Sequence, residues 1–501
     1  MASAVPGSAT ISIPDPQAIA VGRFLEQSTY GPTSALMDHV KQVGASAFID
    51  EQFATPASIW PAFPKAKMSE VVDAYFANAL SGRDQLRQRV IGALSEIFVI
   101  SKTKNNTSSS EIVPWLQLLS RNAFGNYRTL LAEITLDASM GKFLDLVNSG
   151  AAGGAPNENY PREMMELFSL GVSLLNLDGS VQNDSQGIPI PTYTQTDVQQ
   201  LAKALTGWTY SSAKGGAEVR AGNQQYYPGP MIPYIGKHDT STKTLLGQVI
   251  PANQTIQQDL KSSIDIIFNH PNVGPFVATR LIRALVTSNP SPAYITQVAQ
   301  VFNGTATNGT ATNARGDMQA VIRATLLHPE ARNDTPPNNS GRLRTPMQHT
   351  IALARALNIN PGLGSKLATN FYDMDEALLD APSVFGHYSP LFRIPGIPGS
   401  PLFGPEFQIY STSTAANRAN FLYSLISRPG QINPALKPFV DIAGNASALV
   451  AAIDNTLLYG RMSPEVRTAI LGALPAQRDS NGRVLAALYA TLTSGEYLVQ
   501  H

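Results

Sequence analysis

The sequence contains no cysteine. Disulfides, thiolate metal sites and cysteine nucleophiles are excluded together, and the fold has to stand on packing alone. Charge is scarce as well: Asp, Glu, Lys and Arg make up 14% of the 501 residues, against roughly 25% in average soluble domains. The surface must lean on Asn, Gln, Ser and Thr. Neither sign is in excess, with 36 basic and 36 acidic residues, so no global field draws in nucleic acid or an anionic membrane. There is no run of about 18 apolar residues, the length a membrane-spanning helix needs. A basic region followed by an apolar stretch is missing from the N-terminus too. The opening Met1-Ala2-Ser3-Ala4-Val5-Pro6-Gly7 reads instead as the start of a mature exported chain whose signal peptide has been removed. The expected address is secreted or periplasmic.

What is present is a helical pattern. Hydrophobic residues make up 43% of the chain, and a chain this long exceeds the roughly 250–300 residues at which one core stops growing. Two or more packed subdomains are expected. From about Asp84 to Phe98 the apolar residues Leu86, Val90, Ile91, Leu94 and Phe98 fall on one stripe at helical spacing. Similar stripes occur at Val198, Leu201 and Leu205, at Val277, Leu281, Ile282 and Leu285, at Met318, Val321, Ile322 and Leu326, and at Phe421, Leu422, Leu425 and Ile426. Pro161 and Pro346 stand where a helix would begin, a position at which the missing amide costs nothing. The fold class is therefore mainly α, a multi-helix body with long Gly/Pro-rich loops and at most minor β-structure.

The pattern divides the chain into an extended tail (1–17), an N-terminal helical part (18–210), a long loop region (211–258), a central helical part (259–360), a Gly/Pro-rich loop (361–412) and a C-terminal helical part (413–501). Connections this long are functional or mobile. The five-residue repeat Asn303 to Thr312 reads as a solvated loop. In Arg315-Gly316-Asp317 the aspartate is read as the N-cap of the next helix, not as part of an adhesion signal. The Gly362-Leu363-Gly364 and Gly396-Ile397-Pro398-Gly399 stretches lack the flanking strand and helix of a phosphate cradle and are turn chemistry.

The informative segment is Pro156-Asn157-Glu158-Asn159-Tyr160-Pro161-Arg162-Glu163-Met164-Met165-Glu166-Leu167-Phe168-Ser169-Leu170-Gly171, followed by Tyr193-Thr194-Gln195-Thr196-Asp197-Val198 and Leu205-Thr206-Gly207-Trp208. With Arg23-Phe24-Leu25 and Tyr30-Gly31-Pro32-Thr33 before them, these resemble the N-terminal half of the bacterial domain of unknown function 1800 family. His238-Asp239, Lys243 to Gly247, Phe268 to Phe276 and Pro382-Ser383-Val384-Phe385 extend the resemblance over nearly the whole chain. The resemblance implies a secreted, mainly helical bacterial protein and supplies no catalytic residue. One departure is Pro161, where the family often has a small residue.

The site is therefore argued from chemistry. Glu163 and Glu166 are three apart on one helix, which puts their Cβ atoms roughly 5–6 Å apart. Two carboxylates that close repel, so one can be held protonated as a general acid while the other stays ionised, the division of labour glycosidases use. Glu158 joins them as the third catalytic candidate. Alternatively, Arg162 pairs with Glu166 four residues on and the group braces a helix junction. Asn157, Asn159, Arg162 and Asp197 supply planar polar groups that suit sugar hydroxyls, and Trp208, Tyr210, Tyr226, Tyr227 and Tyr234 supply aromatic faces that either line a groove or pack loops onto the body. His238, Asp239 and Lys243 complete the expected substrate-binding set.

His238 and Asp239 are also ligand types for a divalent metal, but no His-Glu-x-x-His or calcium-loop spacing is present, and no cofactor is expected. His270 is read as a helix-end residue. No Gly-x-Ser-x-Gly elbow, phosphate loop or dinucleotide fingerprint appears. The leading expectation is an exported hydrolase acting on extracellular polysaccharide through paired carboxylates, with the Arg162–Leu170 helix, the 197–208 segment and the His238 loop converging. The alternatives are a non-catalytic binding or assembly protein whose partner is another exported protein, and a metal-dependent phosphate or sulfate ester hydrolase.

Overall fold

The computed structural model describes residues 15–61, 66–101, 108–150, 154–213, 216–305, 313–333, 337, 339–360, 365–395, 402–428 and 431–501. The N-terminal segment up to residue 14, most of the five-residue repeat and the two short glycine-rich stretches lie outside the described residues.

The chain is mainly α, as its periodicity requires. The stripe at Leu86 and Val90 forms the helix Gln85–Ile97, and Leu86, Val90, Ile91, Leu94 and Phe98 are all buried. The other four stripes are buried too, in Gln195–Ala204, Val273–Leu285, Met318–Leu327 and Thr412–Ile426, with the equally buried Leu205 standing just beyond its helix. Asp317 caps its helix by accepting from the amides of Gln319 and Ala320. Pro346 opens the helix Pro346–Ala356, while Pro161 falls third in Asn159–Glu166, still within the turn whose amides have no intrahelical partner. His270 accepts from the Asn272 amide at a helix end.

Apart from isolated bridges, β-structure among the described residues is confined to two-stranded pairs: Trp208–Thr209 with Ile232–Pro233, Lys243–Leu245 with Gln248–Ile250, Arg342–Leu343 with Val499–Gln500, and Ser427–Arg428 with Gln431–Ile432. The second pair turns through Leu246 and Gly247, both at positive φ (49° and 76°), as a tight two-residue hairpin requires.

Apolar side chains gather in two cores. The first runs from Val21 to Ala331 and draws on helices from both the 18–210 and the 259–332 stretches. The second is built from helices after residue 346, joined by Tyr30, Phe76 and Ala79. One helix, Met68–Ser81, serves both: Val71 and Tyr75 face the first core, Phe76 and Ala79 the second. Packing across two faces of one helix ties the cores together. The C-terminal strand adds a second tie, since Gln500 accepts from Arg89 at 3.0 Å and donates to the Leu285 carbonyl at 2.7 Å.

The 361–412 stretch is more than a loop. It contains the helix Ser365–Tyr372, whose Phe371 stacks on Phe76 with ring centroids 5.3 Å apart, and the 3-10 turn Pro405–Ile409. Burial of Phe371 and Met374 in the second core anchors a segment whose Gly and Pro content reads as irregular.

Candidate functional site

The sequence-expected residues form two clusters. In the first, Glu158 at the start of Asn159–Glu166 accepts from Arg162 Nη2 at 3.1 Å and from Gln195 Nε2 at 2.7 Å. Arg162 therefore pairs backward with Glu158, and the expected pairing with Glu166 is not formed. Asn157 accepts from the Asn159 amide, and Asn159 Nδ2 donates to Asp145 at 3.0 Å. Glu166 instead accepts from the Tyr193 hydroxyl at 3.1 Å. Burial, and then the charge of Glu166, push the half-buried Glu163 carboxyl up to about 7.

The second cluster is closed to solvent. Lys243 Nζ lies 2.7 Å and His238 Nε2 3.2 Å from the same Asp259 oxygen, and all three side chains are buried. The ring's other nitrogen, Nδ1, lies 3.0 Å from the Thr206 carbonyl. Asp239 accepts from the backbone and hydroxyl of Ser241. Lys243, expected to bind substrate, is thus a buried cation paired with an aspartate that the sequence did not reveal, since nothing local marks Asp259. Trp208 is 2% exposed, and Tyr210 and Tyr227 pack edge to face at 5.6 Å. These three rings pack loop to body and offer no open face to a ligand.

The two clusters lie at the two ends of the helix Gln195–Ala204. Gln195 belongs to the first and Thr206, just past the last turn, to the second, so about 15 Å of helix separates them. Asp197, in the first turn, accepts from the Thr194 amide and the Leu246 amide, bonds that hold its carboxyl below the usual range against the upward push of burial. No hydrogen bond or ion pair among the described residues links Glu163 or Glu166 with His238. Among the described residues no group of three His, Asp or Glu side chains is arranged to hold a metal ion.

One concavity lies where the two cores meet. A cavity of about 110 Å³ is lined by Tyr30, Tyr75, Trp115, Arg280, Gln348 and Phe371, and by three glutamates, Glu96, Glu376 and Glu406. Phe385, 43% exposed, and Glu96, with 31% of its side chain exposed, mark its mouth. Tyr30 and Tyr75 in its lining are both buried, with hydroxyls 3.3 Å apart.

The three glutamates have different surroundings. Glu376 accepts from the Met347 amide at 2.7 Å, in the first turn of Pro346–Ala356. Burial outweighs that bond and pushes its carboxyl up to about 7. Glu406 is 2% exposed and receives both Nε (2.9 Å) and Nη2 of Arg342 on one oxygen. Its second oxygen, Oε2, has no hydrogen-bond partner, nor do Gln348 Oε1 and the Tyr388 hydroxyl; their residues line the same cavity, but all three atoms are closed to solvent. Burial, followed by the charges of Glu96 and Glu406, keeps the Tyr388 phenol protonated. Sequence reasoning missed this site because Glu96, Glu376 and Glu406 share no local spacing. The available signals were the length of the 361–412 stretch and the Pro382–Phe385 motif beside it.

Fold and site together define a mainly helical protein of two joined cores, with carboxylates in a cavity between them. A family model matches residues 23–499, and the chain belongs to that family, DUF1800, described as protein of unknown function. No curated protein matches the chain, and no solved structure does.

Proposed function

We propose that the protein is a glycan-acting hydrolase that works by carboxylate acid–base chemistry in the cavity between its cores. The observation that carries this reading is a concavity in which Glu376, its carboxyl held near 7, and Glu406, gripped by Arg342 on one oxygen only, share the lining with aromatic rings and the Gln348 amide. A carboxyl protonated near neutral pH is suited to give its proton to a glycosidic oxygen as the carbon–oxygen bond breaks. Two charge-assisted bonds from Arg342 favour charge on Glu406, and a charged carboxylate is suited to take the proton of the attacking water, whose oxygen bonds to the sugar carbon. Such substrates lie outside the cytoplasm, in keeping with the address that the family resemblance implies.

A second reading keeps the chemistry and moves it to Glu163 and Glu166, favoured by the raised Glu163 carboxyl on a surface that a polymer can reach. One experiment separates the two: reducing-end release from a panel of bacterial, algal and plant polysaccharides by wild type, Glu376→Gln, Glu406→Gln, Glu163→Gln and Glu166→Gln. Loss in the first two variants with folding intact supports the cavity. Loss confined to the last two moves catalysis to the surface pair. No release from any glycan, with no bound metal in the purified protein, leaves an exported binding or assembly protein as the reading. Metal-dependent cleavage of phosphate or sulfate esters in the same panel would replace both.

A further inference from the structure

We infer that residues 381–391 form a flap over the cavity between the cores, and that this flap opens while both cores stay folded. The inference rests on the cavity as the reaction site and supplies its way in.

A way in is needed. At about 110 Å³ the cavity is smaller than the roughly 150 Å³ that accepts a benzene ring, so the closed form admits water and excludes a sugar. Part of the wall is helical: Glu96 comes from Gln85–Ile97, Arg280 and Ala284 from Val273–Leu285, and Gln348 from Pro346–Ala356. Another part is the 381–391 segment, which contributes Ala381, Phe385, Gly386, His387, Tyr388 and Pro390 and contains neither helix nor strand.

The segment is pinned at both ends and lightly held between them. Asp380 bridges to Ser101. At the other end the Ile394 amide donates to the Leu402 carbonyl at 2.9 Å and the Gly404 amide to the Phe392 carbonyl at 3.0 Å. Between these pins, hydrogen bonds join near neighbours, such as the Gly386 amide and the Ser383 carbonyl. Two reach further: His387 Nε2 donates to the Ala377 carbonyl at 2.8 Å, and the Ser389 amide to Gln408 Oε1 at 2.6 Å. None among the described residues reaches the helices across the cavity. Phe385 and Leu391 are 43% and 62% exposed. A segment with few bonds to the body and little apolar burial opens at a lower free energy than the cores do.

Closure also strands a polar group. The Tyr388 hydroxyl is closed to solvent and has no partner, so it has lost its water without compensation. Opening of the flap that carries it restores that water and offsets part of the contact given up.

The chain has no cysteine, so a single introduced thiol tests the opening directly. Ala284→Cys, 6% exposed in the lining, is compared with Ala278→Cys, 0% exposed on the same helix and outside the lining. Dithiobis(nitrobenzoate) added to the full chain without denaturant should react about tenfold faster or more with the Ala284→Cys variant. Adding Gln408→Ala, which removes an exposed tether, should speed that reaction severalfold. Adding Tyr388→Phe, which removes the stranded hydroxyl, should slow it severalfold. Neither change should alter the Ala278→Cys rate. Ala381→Cys, 6% exposed on the flap itself, is the second reporter should Ala284→Cys fail to fold. Equal rates for the two helix positions overturn the inference, because the cavity then opens only when the cores unfold. A fast Ala284→Cys reaction that neither Gln408→Ala nor Tyr388→Phe changes overturns it as well, because access then runs by another route. A flap that opens in a chain releasing no reducing ends upholds the inference and removes only the hydrolase reading.

Discussion

Arg342 donates to one oxygen of Glu406 through both Nε and Nη2 and leaves the other, buried oxygen without a hydrogen-bond partner. Both side chains are buried. Burial raises the Glu406 carboxyl, with Arg342 opposing, and holds the guanidinium fully charged through its carboxylate neighbours. Removing one partner strands the other charge. Arg342→Met is expected to destabilise the fold by about 3–5 kcal/mol, read from urea unfolding; a loss under about 1 kcal/mol would show that water reaches the pair.

Glu376 links stability to pH. Its folded carboxyl, about 7, is raised above the usual value near 4.5, so the folded state holds the proton more tightly than the unfolded one. The stabilisation is full below about pH 4.5 and lost as pH rises toward 7. Glu376→Gln should flatten that part of the stability curve, measured by thermal unfolding from pH 4 to 8. As the general acid, the same group makes kcat/KM fall above about pH 7, a limb the variant should lose along with most activity. An unchanged stability profile in Glu376→Gln would refute the shift.

The buried pair Lys243–Asp259 predicts a different phenotype. Lys243→Met leaves Asp259 without its cation and should lower stability by about 3–5 kcal/mol, with residual activity per folded molecule unchanged. Arg162→Met, which breaks a half-exposed pair with Glu158, should cost under about 1 kcal/mol. Chemical denaturation of both variants side by side checks the contrast, and equal losses would contradict it.

Gly92 lies in the cavity lining beneath Tyr30. A Cβ at this position would stand 2.6 Å from the Tyr30 hydroxyl, the rigid tip of a buried ring. Gly92→Ala should cost about 1–3 kcal/mol by overpacking, read from chemical unfolding; unchanged stability would show that the Tyr30 ring gives way.

Much of the fold was legible before the structure. Stripes such as Leu86, Val90, Ile91 and Leu94 needed only the helical period, because burial of an apolar face is what makes a helix hold. The caps were readable for the same local reason: Asp317 and Pro346 act on amides within one turn. The helix Ser365–Tyr372 was hidden, since its stability comes from Phe371 against Phe76, almost 300 positions away in sequence.

The candidate site divides along the same line. The neighbourhood of Glu163 and Glu166 follows from three-residue spacing, and the raised Glu163 carboxyl agrees with it. Burial of Trp208 and Lys243, the choice of Glu158 over Glu166 by Arg162, and the meeting of Glu96, Glu376 and Glu406 depend on which helices pack together. The sequence by itself determined the helical class, the absence of covalent cross-links and the caps, because these rest on composition and on contacts a turn or two apart. Only the tertiary structure decided where carboxylates meet in a cavity, because desolvation and charge pairing act between groups that packing, not spacing, brings within reach.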